Sequence, residues 1–230
     1  VRAALWRIVL IDPDVVEERN VGRQNFACAD VGTPKSQALA WRYNLAFGID
    51  MEWHTVPFAA SLLPKRQTSI ERIVLIGAVD SGSSRGEIAD ALHARKDEIV
   101  WLDSGNGETR GQVAIGNTFV GEELFSSVDS GVNVARYLPY PSHSLTELLE
   151  EDPKPTPSCT EAVENQAQGR YVNRFKSGVI GEYLRRLISG ELAIFQTWVD
   201  LSSPEMASVP VNKYHIERLS RLQEHSKSAS

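Results

Sequence analysis

Asp12 and Asp14 follow the apolar run Ile8-Val9-Leu10-Ile11, a loop then carries Arg23 and Gln24, and Lys35 stands at the head of a helix. A carboxylate at a strand end can accept hydrogen bonds from ribose hydroxyls. An Arg and a Lys converging on a helix N-terminus suit phosphate oxygens, the first as a fork and the second as a compact point charge. Together these residues suggest a nucleoside triphosphate held by its sugar and its phosphates. Plainer alternatives stay open for each. Asp12 at a strand end also caps turns or binds the ribose of a dinucleotide, Arg23 and Lys35 are the kind of single charge that is commonly solvated, and Asp80 closes a strand where a turn is needed.

Asp80 and Asp103 end two further apolar stretches, 73–79 and 99–102. In open α/β sheets the ligand lies beyond the carboxyl ends of the strands. Arg23 and Lys35 are therefore expected to meet Asp12 and Asp80 around one pocket at that rim.

The elements needed to place these residues can be read from spacing. Residues 8–11, 51–56, 73–79, 99–102 and 112–115 read as strands. Thr33 and Pro34 open a helix as N-cap and first helical residue, and Gly48 stops it. A second, short helix covers 85–95. A long amphipathic helix is expected over 161–189, with Tyr171, Phe175, Val179, Tyr183, Leu184, Leu187 and Ile188 on its apolar stripe. Gly178 and Gly181 on it would permit close approach to a neighbour, and Gly190 ends it. A further strand covers 194–201. Strands alternating with helices give an α/β, Rossmann-like fold: a mostly parallel sheet flanked by helices, with a crossover loop, a long C-terminal helix and a last strand. The chain is read as one domain over 1–230. Its proline-punctuated segment 139–160 crosses the surface, and a polar tail covers 218–230. The stretch 57–70 has no clear pattern.

Composition sets the limits. The 230 residues carry 24 basic and 30 acidic side chains, a formal charge of −6. That balance argues against a nucleic-acid binder, which needs a positive face, and against a polybasic membrane anchor. No apolar run is long enough for a transmembrane helix. Cys28 and Cys159 are the only cysteines, too few for a disulfide framework or a four-cysteine zinc site, and a reducing, cytoplasmic setting is the simplest reading. The five histidines show no metal-ligand spacing. Cys28 is expected to serve packing.

The order Asp-x-Asp, Asn-x-x-Arg-Gln, Asp-x-Gly-x-Pro-Lys resembles the ThiF/MoeB/HesA family, the bacterial relatives of the ubiquitin-activating enzymes. Val79-Asp80 with Arg85 resembles that family's Asp-Asn-x-x-x-Arg element, with Ser81 in place of the Asn. Gly111-Gln112-Val113 resembles the strand that follows it. Within the family, Asn20-Val21-Gly22-Arg23-Gln24 and Leu102-Asp103-Ser104-Gly105-Asn106-Gly107 are most similar to the ThiF-family proteins of the PRTRC system. The family's Gly-x-Gly-Gly-x-Gly loop, expected on a first βα unit before Trp6, is absent from the sequence, as are its paired Cys-x-x-Cys zinc ligands.

The resemblance implies ATP- and Mg²⁺-dependent adenylation of the C-terminal carboxylate of a ubiquitin-like or sulfur-carrier protein, with no zinc. It implies ribose binding by Asp12 and nucleotide contacts by Asp14. It also implies phosphate contacts by Asn20, Arg23 and Gln24, α-phosphate contact and charge stabilisation by Lys35, and Mg²⁺ at Asp80. Cys159 would be a thioester acceptor, a thiolate activated near a helix N-terminus, or else a small packed residue at a helix start. A homodimer is implied. The alternatives are a non-catalytic, partner-binding ThiF-like subunit and, from another class, a Rossmann-type oxidoreductase, for which the Arg-Gln and Pro-Lys pattern has no use.

Overall fold

The computed structural model describes residues 7–22, 24–65, 72–93, 95, 99–106, 110–118, 138–144, 161–203, 205–212, 214–216 and 218. The chain divides into two compact units, Val1–Leu62 and Leu63–Ser230.

The first unit is a βαβ element. Strand β1 (Ile8–Ile11) is short and β-branched, as a pleated ribbon favours. It pairs in parallel with β2 (Met51–His54), Ile8 opposite Met51 and Ile11 opposite His54. The crossover is helix α1 (Lys35–Phe47), rich in the good helix formers Ala and Leu. It begins one residue later than the spacing suggests, with Pro34 at the N-cap rather than inside. Gly48 ends it with φ +63, a conformation a side chain would resist. Asn44 then aligns the next strand: its amide donates to Met51 O at 3.1 Å and accepts from Met51 N at 2.7 Å. A small core of Val16, Phe26 and Ala38, with Leu39 against it, holds the loop onto the helix.

The second unit is a five-stranded sheet in the order β3-β4-β5-β6-β7. Its strands are β3 (Ile73–Gly77), β4 (Ile99–Asn106), β5 (Arg110–Gly116), β6 (Ile194–Asp200) and β7 (Glu205–Pro210). Helix α2 (Gly82–His93) carries the chain from β3 to β4, so those two strands are parallel, while the remaining pairings are antiparallel. The fold is thus Rossmann-like α/β; among the described strands the parallel pairs are β1–β2 and β3–β4, so the five-stranded sheet is mixed rather than mostly parallel. Helix α3 (Pro141–Ser144) is a single turn, and α4 (Glu161–Ser189) has the bounds its sequence pattern gives. The core gathers Leu102, Val113, Ile115, Leu138, Tyr183, Leu192, Phe195 and Ile216.

Four expectations need correction. The buried side of α4 carries Val172, Lys176 and Tyr183 with Val179, Ile180, Leu184 and Leu187, while Phe175 and Ile188 are exposed. Gly178 and Gly181 have open space where a Cβ would stand, so they serve no close approach. Among the described glycines, close approaches fall instead at Gly77, against Asp103, at Gly111, beneath Lys176, and at Gly116, beneath the Pro139 carbonyl. The start of the crossover segment is no surface strip either: 138–142 are buried, and the Tyr140 hydroxyl donates to Ile99 O at 3.0 Å. Cys28 is exposed rather than packed. No helix among the described residues is long and apolar enough to cross a membrane.

Candidate functional site

In the first unit, two backbone links fold the segment after β1 against the head of α1. Val15 bridges Pro34, and Val16 N donates to Thr33 O at 2.8 Å. This brings together residues 21 apart in sequence. Lys35 Nζ donates to Asp14 Oδ2 at 2.7 Å, and Lys35 N donates to Asp14 O at 2.8 Å. The Lys35 side chain is only 15% exposed, whereas that of Asp14 is 63% exposed. An exposed partner of this kind contributes little, about 0–1 kcal/mol, so a phosphate can replace it at small cost.

Asp12 lies beside this pair and is half-buried. The Asp14 N–H donates to its Oδ1 at 2.8 Å, so Asp12 caps the turn after β1. Its own N–H donates to His54 O at 3.1 Å. Sequence reasoning missed Ser36, which is buried and whose hydroxyl donates to Asp12 O and His54 O at 3.3 and 3.2 Å, tying the ends of β1 and β2 to α1. A serine at the second position of a helix carries no sequence signal that separates it from a solvated one.

Asn20 is also buried. Its Oδ1 accepts from Glu17 N at 2.8 Å, which shapes the turn before the Arg-Gln pair, and its carbonyl accepts from Gln24 N at 2.9 Å. Asn20 therefore builds the loop, and Gln24 is exposed on it. Arg42 of α1 pins the far side by an ion pair with Asp30 and a bond to Asn25 O. Arg23 and Cys159 lie outside the described residues.

In the second unit, Asp80 follows β3 on a bend and is exposed. Ser81 stands next to it as the cap of α2: its hydroxyl accepts from Ser84 N at 3.2 Å. Asp103 is not a rim residue. Strand β4 continues three residues past it, and its side chain is fully buried against Arg85, whose Nε donates to Oδ2 at 2.8 Å. Burial pushes the Asp103 carboxyl above the usual carboxylate range, against the pull of Arg85. Asp103 faces Gly77 in the β3–β4 register, and a Cβ on Gly77 would stand 2.0 Å from Oδ1. Gly77→Ala is expected to cost about 1–3 kcal/mol, read as a lower urea midpoint at unchanged m-value.

A second buried cation lies on α4. Lys176 Nζ donates to Gly105 O at 3.3 Å. Burial, then the Arg85 charge, lower its pKa from 10.5 to about 8, with Asp103 pulling the other way. The unfolded chain keeps that proton up to 10.5 and the folded chain releases it near 8. Stability from this group therefore rises with pH between those values, by up to about 3 kcal/mol. Urea unfolding of wild type against Lys176→Met at pH 7.5 and 9.5 is expected to show the rise in wild type only.

No curated protein matches the chain by sequence. Among solved structures, Escherichia coli MccB matches with TM-score 0.52 and 12% identity over 89% of this chain and 55% of its own. The same protein with ATP matches with TM-score 0.51 and 14% identity over 90% of this chain and 56% of its own. PaaA matches at TM-score 0.49 and 15% identity over 88% of this chain and 63% of its own. The chain thus spans little more than half the length of the MccB chains it matches, and the two MccB likenesses show the fold. The ThiF family model matches residues 1–202, a span that holds every residue of both clusters, and on that match the chain belongs to the ThiF family.

Proposed function

We propose that this protein takes part in ATP-dependent adenylation of a C-terminal carboxylate, the substrate being a small ubiquitin-like or sulfur-carrier protein. The observation that carries this reading is the Lys35–Asp14 arrangement at the head of α1 within the family-matched span. It supplies one sheltered cation with a replaceable partner. In the reaction the partner's carboxylate oxygen attacks the α-phosphorus of ATP. The new bond forms an acyl adenylate as the bond to pyrophosphate breaks. Lys35 would meet the charge that grows on the α-phosphate oxygens, where fixed electrostatics act most strongly. Arg23, Asn20 and Gln24 would contact the phosphates or hold the loop that does, Asp12 would take the ribose, and Asp14, beside the bound nucleotide, would give up Lys35 to a phosphate.

Asp80 would hold Mg²⁺. Among the described residues no three potential metal ligands cluster. Mg²⁺ bound to a nucleotide does not need such a cluster, since one carboxylate plus phosphates and water suffices. Asp80, exposed on its bend and without an ion pair among the described residues, fits that use. The metal would neutralise phosphate charge.

The wording at 20–24 and 102–107 supports the PRTRC-type ThiF proteins as the nearest kind, and that resemblance also favours a homodimer. A reducing, cytoplasmic setting accords with the free, exposed Cys28.

The test is ATP–pyrophosphate exchange with a ubiquitin-like protein. Exchange is expected with a free C-terminal carboxylate and Mg²⁺, and is expected to vanish with an amidated C-terminus. A chain that binds such a protein without any exchange would favour the non-catalytic subunit instead. For Cys159, a reducible adduct that Cys159→Ser abolishes would mark a thioester acceptor, and an adduct unchanged in that variant would remove it from the mechanism.

A further inference from the structure

Strand β3 stops at Gly77, opposite Asp103, while β4 runs on to Asn106. Residues 78–80 therefore leave the ladder just where Asp80 is presented. One buried side chain ties this segment across to β4. Arg85, 6% exposed, gives its Nε to Asp103 Oδ2 at 2.8 Å. Its Nη2 donates to Ser104 O at 3.1 Å and to the carbonyl of Val79, the residue before Asp80. Its backbone N–H donates to Ser81 O at 3.3 Å, the residue after Asp80. Asp80 is thus bracketed by two backbone carbonyls that one residue holds.

Reaching Asp103, Val79 and Ser104 at once needs a planar group with several donors. A guanidinium supplies this and an ammonium does not. Asp103 in turn has no freedom: it is fully buried, with the Gly77 backbone directly beneath it. A clamp so fixed does more than fill the core, because its Nη2 joins the loop carbonyl of Val79 to the β4 carbonyl of Ser104.

We propose that Arg85 is a positioning residue: clamped by Asp103, its guanidinium holds the Val79 carbonyl against β4 and so fixes where the Asp80 carboxylate meets a nucleotide-bound divalent cation. This rests on the reading of Asp80 as the Mg²⁺ ligand. Groups that orient a ligand from behind commonly change metal affinity by about 10–100-fold when altered.

The experiment measures ATP binding by the full chain calorimetrically, with Mg²⁺ and with chelator, alongside amide exchange in the ATP-free protein. Asp80→Asn is expected to abolish the gain in ATP affinity that Mg²⁺ brings. Arg85→Lys is expected to cut that gain by about 10–100-fold, leave metal-free ATP affinity unchanged, and speed exchange at 78–82. Should Arg85→Lys fail to fold, Arg85→Met/Asp103→Leu removes the clamp without leaving a lone buried charge and is expected to behave the same way. Full retention of the Mg²⁺ gain in the clamp variants, with its loss in Asp80→Asn, overturns the proposal and leaves the Asp80 reading intact. Retention in Asp80→Asn itself overturns both, and which variant keeps the gain tells the two failures apart.

Discussion

Arg85→Met is expected to destabilise the second unit by about 3–5 kcal/mol, the largest stability effect of any single substitution considered. The reason is what it leaves behind. Asp103 is fully buried, its Oδ1 has no hydrogen-bond partner among the described residues, and Arg85 is its ion-pair partner. Removing the guanidinium strands a carboxylate in a site from which water is excluded. Its remaining cationic neighbour, Lys176, bears its own burial cost, which lowers its pKa to about 8, and it is not an ion-pair partner of Asp103. The comparison that isolates this cause is Arg85→Met/Asp103→Leu, which removes both charges and keeps the volume filled. Buried pairs replaced by apolar groups often lose little, so the double variant is expected to recover most of the loss. Chemical denaturation of wild type, both single variants and the double gives the coupling directly. A double variant as unstable as Arg85→Met would mean that packing around the arginine stem, and not the pair, is what the core depends on.

The same residues show where sequence reasoning stopped. Asp103 follows four apolar residues, and a charged side chain there reads as the end of a strand. The structure extends that strand to Asn106, because Arg85 neutralises the charge and Gly77 makes room for it. Neither condition is local: Arg85 is 18 positions away and Gly77 is on another strand. Signals confined to one element fared better. Gly48 and Gly190, with φ +63 and +71, end their helices where their type implies. The expected end of α4 holds because its apolar spacing is sustained from Val172 to Leu187 and Gly190 then stops it. Strand β7 escaped notice since it is a mostly exposed edge, with no apolar alternation to mark it. At the candidate site, the pairing of Lys35 with the Asp12–Asp14 segment was legible because one βαβ turn imposes it. The buried roles of Ser36 and Asn20 were not, since a polar residue that bonds backbone looks like one that bonds water.

Lys35→Ala is expected to lower the rate of ATP–pyrophosphate exchange by about 10²–10³-fold, the size of loss that follows deletion of one preorganised group facing developing charge. The fold should tolerate the change. Lys35 is the first residue of α1, Ala is a strong helix former, and the Asp14 carboxylate it leaves is largely in water. The loss should fall on the chemical step more than on ATP affinity, because the phosphates carry charge before the reaction as well as during it and only the increment is catalytic. Lys35→Arg is expected to recover part of the rate, since charge is restored but the wider group must displace Asp14 differently. Asp14→Ala, which frees the lysine from an exposed pair, should change exchange only a few-fold. A Lys35→Ala protein that exchanges at the wild-type rate would show that the sheltered ammonium at the head of α1 serves the turn alone. The charge stabilisation would then have to come from another cation, of which Arg23 is the first to test by the same assay.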